Sequence, residues 1–196
     1  ARDRERRANF RLPAGISAVN LAGLPPRPAS ALQPGQSALF DDLLRDAPGW
    51  DDVAWLQANT RLPVILKGIL HPDDARQAAR LQAGGVIVSN HGGRTLDSAP
   101  PTAEALPRIA DALAGTLPLL VDGGIRRGTD ILKAMALGAN AVLVGKPYVF
   151  GLANAGALGV AHVLRLLRDE LEIAMALCGC ATLDDLPAGL PGAGQP

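Results

Sequence analysis

The sequence has little of several features that would point to a class of partner. Its 19 Lys and Arg residues balance 19 Asp and Glu residues, so the formal net charge is +0. A nucleic-acid-binding domain normally carries a basic excess. Aromatic residues make up only 3% of the chain, so stacking surfaces for single-stranded nucleic acid are scarce as well. Together these shortages argue against a nucleic-acid partner.

Cysteine and long apolar runs are also scarce. The two cysteines, Cys178 and Cys180, stand one residue apart, a spacing that suits neither a disulfide framework nor a zinc site. We therefore expect no bound metal. We see no apolar run that approaches the ~18 residues of a membrane span, and the Arg-rich start lacks the apolar core of a signal peptide. The sequence predicts a soluble, cytoplasmic protein, with peripheral membrane association left open.

Composition divides the chain into three parts. Residues 1–49 comprise an Arg-rich start and a stretch rich in Pro, Gly and Ala without a sustained period, which is typical of a lid or a disordered segment. Residues 50–186 alternate apolar strands with helical patterns. Residues 187–196 are predicted to form a disordered tail. Because 48% of the residues are hydrophobic, the middle part can bury a sizeable core.

The middle part contains four predicted βα units, preceded by one helix. The predicted strands are 62–68, 85–90, 117–124 and 141–147, and the predicted helices are 50–60, 71–84, 102–115, 127–138 and 154–177. Pro107 is expected to break or kink the helix over 102–115. His71 and His162 are interpreted as structural, at a helix start and within a helix.

Apolar strands that alternate with helices over short connections favour a parallel sheet. Leu62-Pro63 recurs as Leu117-Pro118, an offset of 55 residues, which indicates two similar quarters. Four βα units are half of a (β/α)8 TIM barrel, which typically needs ~250 residues. The predicted fold is such a barrel, of which this chain supplies about the last four units. Since four strands alone leave two sheet edges unpaired, we expect either a fragment without its first half or a half that pairs with a copy of itself.

Unusual polar residues follow the predicted strands, where βα barrels carry their chemistry. Lysine occurs only three times, so Lys67 at the end of an apolar strand stands out. A buried cation needs an anion: Lys67 either faces an anion that forms during a reaction or pairs with an acid outside this chain. After the next strand, His91 is suited to proton abstraction near neutral pH and Arg94 to a carboxylate; a capping histidine and a surface arginine are the alternative.

The loops after the last two strands predict a phosphate site. Gly123 and Gly124 let backbone N–H groups approach an anion, and the next helix is expected to point its positive end there. Arg126 and Lys146 would add positive charge. Gly123-Gly124 alone would be read as a tight turn, but the second loop, with Gly145 beside Lys146, favours phosphate binding.

Four ordered segments carry a specific resemblance: LPVILKGI, GVIVSNHGGRTLD, LLVDGGIRRGTDILKAMALGA and VLVGKPYVFGL. From about Arg2 to Leu186 the chain resembles the FMN-dependent 2-hydroxy-acid dehydrogenase and oxidase family, which includes glycolate oxidase, lactate oxidase and mandelate dehydrogenase. The resemblance implies an FMN-binding TIM barrel, a homotetramer, and oxidation of a small L-2-hydroxy acid to the 2-oxo acid.

The resemblance also implies individual roles. His91 would be the catalytic base, also in contact with substrate; Arg94 would bind the substrate carboxylate; and Lys67 would stabilise the anionic reduced flavin. The remaining implied FMN contacts are Ser89, Asp122, Gly123, Gly124, Ile125, Arg126, Gly145 and Lys146. Lys146 stands where the family usually has arginine, which keeps the charge but loses the bidentate fork.

Two other functions stay open at this point. The chain could be a non-catalytic barrel fragment, or another phosphate-binding TIM-barrel enzyme such as an isomerase. The sequence leaves undecided which 2-hydroxy acid is the substrate, and whether the electrons go to oxygen or to another acceptor.

Overall fold

The structure, a computed structural model, describes residues 7–9, 11–25, 32–37, 40–41, 44 and 47–186. The chain divides into two units, Ala1–Ala47 and Pro48–Pro196. The described part of the first unit contains a short 3-10 helix at Val19–Leu21, and its assignment as a lid stays a prediction. The predicted tail at 187–196 lies outside the described residues.

The second unit is built on four parallel strands. They are β1 (Ile65–Ile69), β2 (Gly85–Ser89), β3 (Leu119–Asp122) and β4 (Ala141–Leu143), and they lie in the sheet in chain order. Every neighbouring pair is parallel, so each connection must cross over through a helix. The central strand β2 is buried along most of its length, whereas most residues of the edge strands are partly or fully exposed. This arrangement confirms the predicted βα units.

Helices precede and connect the strands. They are α1 (Trp50–Ala58), α2 (Pro72–Arg80), α3 (Thr102–Leu113), α4 (Gly128–Ala136) and α5 (Lys146–Leu177). At the start of α2, the Nδ1 atom of His71 accepts a hydrogen bond from the backbone N–H of Asp73 at 3.2 Å. Pro72 follows at a position where its missing N–H costs nothing. The structural interpretation of His71 is therefore confirmed.

The core lies between the sheet and the helices on it. Leu106 and Ile109 of α3 are 1% and 0% exposed, and they share one buried cluster with Val86 and Val88 of β2. The helix runs without interruption through Pro107, so the predicted break there is wrong. Burial of the apolar face on either side of the proline outweighs the one backbone hydrogen bond that it removes.

The end of the last βα unit differs from the prediction. The strand expected over 141–147 ends at Leu143, and the helix expected from 154 already begins at Lys146. Pro147 explains the shift, because proline is favoured in the first turn of a helix. Helix α5 also contains a break at Ala155 and Gly156, whose dihedral angles are not helical. His162 lies within the second part of α5, as expected.

The expectation that no apolar segment is long enough for a membrane span was wrong. Helix α5 is long and apolar enough by length and composition alone, with a mean hydropathy of 1.4 over its most apolar window. The uncharged stretch 147–164 nevertheless contains the break. A Cβ added at Gly151 would lie 2.6 Å from the carbonyl oxygen of Gly159, whereas residues eight apart are ~12 Å apart along a straight helix. The two parts of α5 therefore fold back on each other.

Candidate functional site

A cavity of about 380 Å³ opens where the carboxyl ends of the strands meet. It brings together every site residue predicted from the sequence except Ser89: Lys67, His91, Arg94, Asp122, Gly123, Gly124, Ile125, Arg126, Gly145 and Lys146. The sequence reading missed five further lining residues: Gly92, Leu143, Pro147, Val149 and Phe150. Three of the five belong to the start of α5, which was predicted as strand and connection.

A second cavity of about 400 Å³ adjoins the first and shares with it Gly92, residues 123–126 and Lys146. Lys133 of α4 and Asn90 also line it. All three lysines of the chain therefore lie around these two connected cavities. A concentration of cations around glycine-rich loops suits an anionic ligand.

A hydrogen-bonded group of three side chains lies at the base of the site. The ammonium of Lys67 donates to the hydroxyl of Ser89 at 2.9 Å and forms an ion pair with the carboxylate of Asp122. Ser89 in turn donates to Oδ2 of Asp122 at 2.7 Å. Ser89 is fully buried, because β2 carries it between the two neighbouring strands whose ends hold its partners. One alternative drawn from the sequence was an acid outside the chain as the partner of Lys67; the structure shows an acid within the chain, Asp122, in that place.

This group keeps Asp122 ionised. Burial raises the pKa of Asp122, but the hydrogen bonds from Lys67 and Ser89 and the charges of Lys67 and His91 outweigh it, so the pKa lies below its ordinary value of 3.8. The site therefore holds a fixed carboxylate and a fixed ammonium side by side. Lys67 is 37% exposed along its side chain, so its charge also reaches the cavity.

His91 stands at the turn after β2 in a conformation that few residues adopt. Its φ is +54°, in the left-handed region that is uncommon for a residue other than glycine and that recurs at functional sites. Its backbone N–H donates to Ser89 Oγ at 3.0 Å. The imidazole lies against Gly68, where an added Cβ would be 2.8 Å from Nε2. Because Gly68 has no side chain, the imidazole ring of His91 can occupy this space.

Arg94 lies on the exposed loop three residues after His91 and lines the same cavity. Among the residues that the structure describes, none pairs with its guanidinium. An unpaired guanidinium beside an imidazole provides a planar fork for a carboxylate next to a base. The structure therefore brings together the two residues that the sequence singled out on this loop.

The opposite wall of the cavity is a set of backbone donors and cations. Gly123 and Gly124 have φ angles of +103° and +81°, which glycine adopts without strain. Within the described part of the chain, the backbone N–H groups of Gly124, Ile125 and Gly145 donate no hydrogen bond. Arg126 and Lys146 are exposed beside them. Such a wall fits a phosphate group.

The helix start that the sequence analysis assigned to the phosphate has partners within the chain. Asp130 Oδ2 accepts from the N–H groups of Arg126 and Arg127, which precede α4, at 3.0 Å each, and Glu170 Oε2 accepts from Gly128, the first residue of α4, at 2.9 Å. The positive end of α4 is thus occupied by two carboxylates of the chain. The start of α5, by contrast, has no side-chain cap and no acid in its first turn. The free helix end at this site belongs to α5.

Sequence reasoning missed Glu170 because its contact spans 42 residues. Its pKa is lowered by the hydrogen bond from the Gly128 N–H and by Arg127, which donates to it at 3.0 Å. Gly128 permits the approach, since an added Cβ would lie 2.6 Å from Cβ of Glu170. The one sequence feature that pointed to a close contact here was Gly128, a glycine at the start of a predicted helix.

A parallel βα sheet with a cationic, glycine-lined pocket at the carboxyl ends of its strands is the arrangement in which βα-barrel proteins bind phosphate-bearing ligands. The sequence model of the FMN-dependent dehydrogenase family matches residues 1–190. The chain belongs to this family, which confirms the resemblance and identifies FMN as the family's cofactor.

Individual relatives agree with this assignment. The chain is 53% identical over 180 residues to an L-lactate oxidase of Alicycliphilus denitrificans, covering 91% of this chain and 49% of the relative. It is 55% identical over 137 residues to a peroxisomal (S)-2-hydroxy-acid oxidase of Oryza sativa subsp. japonica, covering 70% and 37%. A mandelate oxidase variant solved with the C4a-OH-FMN adduct superimposes with a TM-score of 0.79, at 43% identity over 95% of this chain and 50% of that one.

The chain spans about half the length of the relatives that it matches most fully. Its four βα units are consistent with part of the (β/α)8 barrel predicted from the sequence. Whether this chain is a piece of a longer protein stays a prediction.

Proposed function

We propose that this chain forms part of an FMN-dependent enzyme that oxidises a small L-2-hydroxy acid to the 2-oxo acid. The observation that carries the proposal is the meeting of three groups around one cavity: an imidazole, a guanidinium with no partner among the described residues, and a cationic backbone cradle. The relatives named for L-lactate and (S)-2-hydroxy-acid oxidation support the substrate class. Family membership alone would not show that the imidazole, the guanidinium and the backbone cradle line one cavity in this chain.

The residues present fit the cofactor. The free N–H groups of Gly124, Ile125 and Gly145, with Arg126 and Lys146, would hold the phosphate. Asp122 and Lys67 line the same cavity, where they would meet the ribityl chain and the flavin ring. When bound, FMN supplies the acceptor for two electrons.

The substrate would be bound between Arg94 and His91. Conversion of a 2-hydroxy acid to a 2-oxo acid removes two electrons and two protons. Arg94 would hold the carboxylate through its fork, and His91 would take one proton from the reacting carbon or its hydroxyl, with the electron pair and the other proton left for the FMN acceptor. The carboxylate of Asp122 lies within electrostatic reach of the imidazole, since the charge of His91 contributes to the lowered pKa of Asp122. Lys67 would place its positive charge where the reduced flavin becomes anionic.

The test is anaerobic reduction of FMN bound to the protein by L-lactate and other L-2-hydroxy acids, followed by visible absorbance. His91→Ala should keep FMN but slow its reduction by ~10²–10⁴-fold, the range for a positioned base. Retention of wild-type reduction by that variant contradicts the assignment of the base.

A second variant tests the carboxylate site. Arg94→Lys should raise the substrate concentration needed for half-maximal reduction and leave FMN affinity unchanged, because lysine keeps the charge but loses the fork. Arg108→Lys, at an exposed position on α3, is the matched control and should change neither. An equal loss of substrate and FMN binding in Arg94→Lys contradicts the proposed role.

A further inference from the structure

The two parts of α5 cross at a pair of glycines. The first part runs from Lys146 to Asn154 and the second from residue 157 to Leu177, on either side of the break. Gly151 lies in the first part and Gly159 in the second, and their backbones touch. Gly159 is buried at this crossing.

No side chain fits between the two backbones. A Cβ at Gly151 would lie 2.6 Å from the carbonyl oxygen of Gly159, and a Cβ at Gly159 would lie 2.6 Å from the carbonyl carbon of Gly151. Real Cβ atoms do not approach backbone so closely, so an alanine at either position must push the two parts apart. Val163 completes the contact, since its Cγ2 would lie 3.0 Å from the added Cβ at Gly151.

The crossing determines where the first part of α5 begins. That part is nine residues long and carries Gly145 and Lys146 at its uncapped start, on the wall of the cavity. The second part is held independently of the cavity, because Glu170 bonds to the start of α4 and Gly128 packs against the backbone at Glu170 and Leu171. The contact between Gly151 and Gly159 therefore joins the uncapped start of α5 to a fixed helix.

We propose that Gly151 and Gly159 are positioning residues for the phosphate end of the FMN site. They act through the short first part of α5. Their close contact positions that part so that the Gly145 N–H and the Lys146 ammonium face the phosphate. The inference rests on the proposed function, because it takes that wall as the phosphate site. It adds two residues that contact no ligand and lie outside the lining of the cavity.

The experiment compares two flavins that differ in the phosphate. FMN and riboflavin are titrated separately into wild-type protein and the Gly159→Ala variant, and flavin fluorescence gives both affinities. Displacing the start of α5 should weaken FMN by about tenfold or more, the equivalent of one lost charge-assisted hydrogen bond. Riboflavin affinity should stay within about twofold, since no phosphate contact exists to lose. General loosening of the fold would lower both affinities together.

Gly49→Ala is the matched control. Gly49 precedes α1, has an extended backbone, and would place its Cβ no closer than 3.9 Å to another group, so alanine there adds the same methyl group without a clash. It should change neither affinity. If Gly159→Ala does not fold, Val163→Ala carries the test with the same readout, because it loosens the same crossing without adding an atom.

Two outcomes overturn the inference, and they are distinguishable. If wild-type protein shows no preference for FMN over riboflavin, the phosphate assignment fails and the positioning role fails with it. If wild-type protein prefers FMN and Gly159→Ala keeps the full preference, the proposed function stands and the role of the crossing is refuted.

Discussion

Replacing Ser89 with alanine tests whether the base of the site is held by one hydroxyl. Ser89 is 0% exposed, and its Oγ bonds to three different residues. It accepts from Lys67 at 2.9 Å and from the His91 N–H at 3.0 Å, and donates to Asp122 at 2.7 Å. Alanine removes all three bonds at a position that is itself closed to solvent.

The expected loss of unfolding free energy depends on which hydrogen bonds each partner of Ser89 retains in the variant. The His91 N–H has no other acceptor among the described residues, and its bond to Ser89 is partly buried, where an unsatisfied donor costs about 1–3 kcal/mol. Asp122 keeps its ion pair with Lys67 in the variant, and the partly exposed Lys67 ammonium can bond to water instead of Ser89. Loss of the Ser89 bonds to these two residues therefore lowers the unfolding free energy by less. We expect a total of about 3 kcal/mol, or roughly 6–12 °C in the midpoint of thermal unfolding for a chain of this size.

Urea unfolding of wild-type protein, Ser89→Ala and Ser17→Ala measures this directly. Ser17 is exposed, so its variant should match wild-type protein. A loss below about 1 kcal/mol in Ser89→Ala would refute the reasoning, because it would mean that the three bonds are replaced without cost.

The same variant has a predicted pH dependence. The lowered pKa of Asp122 contributes stability that is present above its ordinary value of 3.8 and is lost as the pH falls through the lower folded-state value. Ser89→Ala removes part of that lowering. The difference in unfolding free energy between wild-type protein and the variant should therefore narrow as the pH falls below 3.8, and a difference that widens there would contradict the assigned hydrogen bond.

Two further substitutions test other contacts. Gly68→Ala should displace the His91 ring, since its Cβ would lie 2.8 Å from Nε2, and should slow flavin reduction without loss of FMN; Gly115→Ala, at a similar positive φ with no atom within 4 Å, should suffer only the backbone strain. Equal rates of flavin reduction in the two variants would contradict the proposed packing of the His91 ring against Gly68. Glu170→Gln should lower the urea midpoint of unfolding more than Glu172→Gln does. Glu170 caps α4, whereas Glu172 pairs, among the described residues, only with Arg168 on its own helix. Equal midpoints in the two variants would contradict the capping role of Glu170.

Much of the fold could be predicted because its signals are local. Apolar runs gave the four strands, and Pro72 with the acids that follow it gave the start of α2. The chemistry-bearing residues were predictable for a related reason: in parallel βα units the carboxyl ends of all strands share one edge of the sheet. Lys67 lies in β1, His91 follows β2 and Asp122 ends β3, so their convergence needed only the strand assignments.

The rest depended on contacts between distant parts of the chain. The sequence around Lys67 gives no sign that Asp122 is its partner, 55 residues away. The cap from Glu170 on α4 and the crossing of Gly151 with Gly159 depend likewise on how the parts of α5 are placed. Pro107 shows the opposite case, since a strong local signal for a helix break was overridden by burial of the apolar residues around it.

The most direct test of the central claim is the visible absorption spectrum of the purified protein after mixing with FMN and desalting. Wild-type protein should retain the flavin absorbance, and the double variant Arg126→Ala/Lys146→Ala should lose it, because the phosphate cradle then keeps its N–H groups but neither cation. A double variant that retains as much flavin as wild-type protein would contradict the claim that this cavity holds the FMN phosphate.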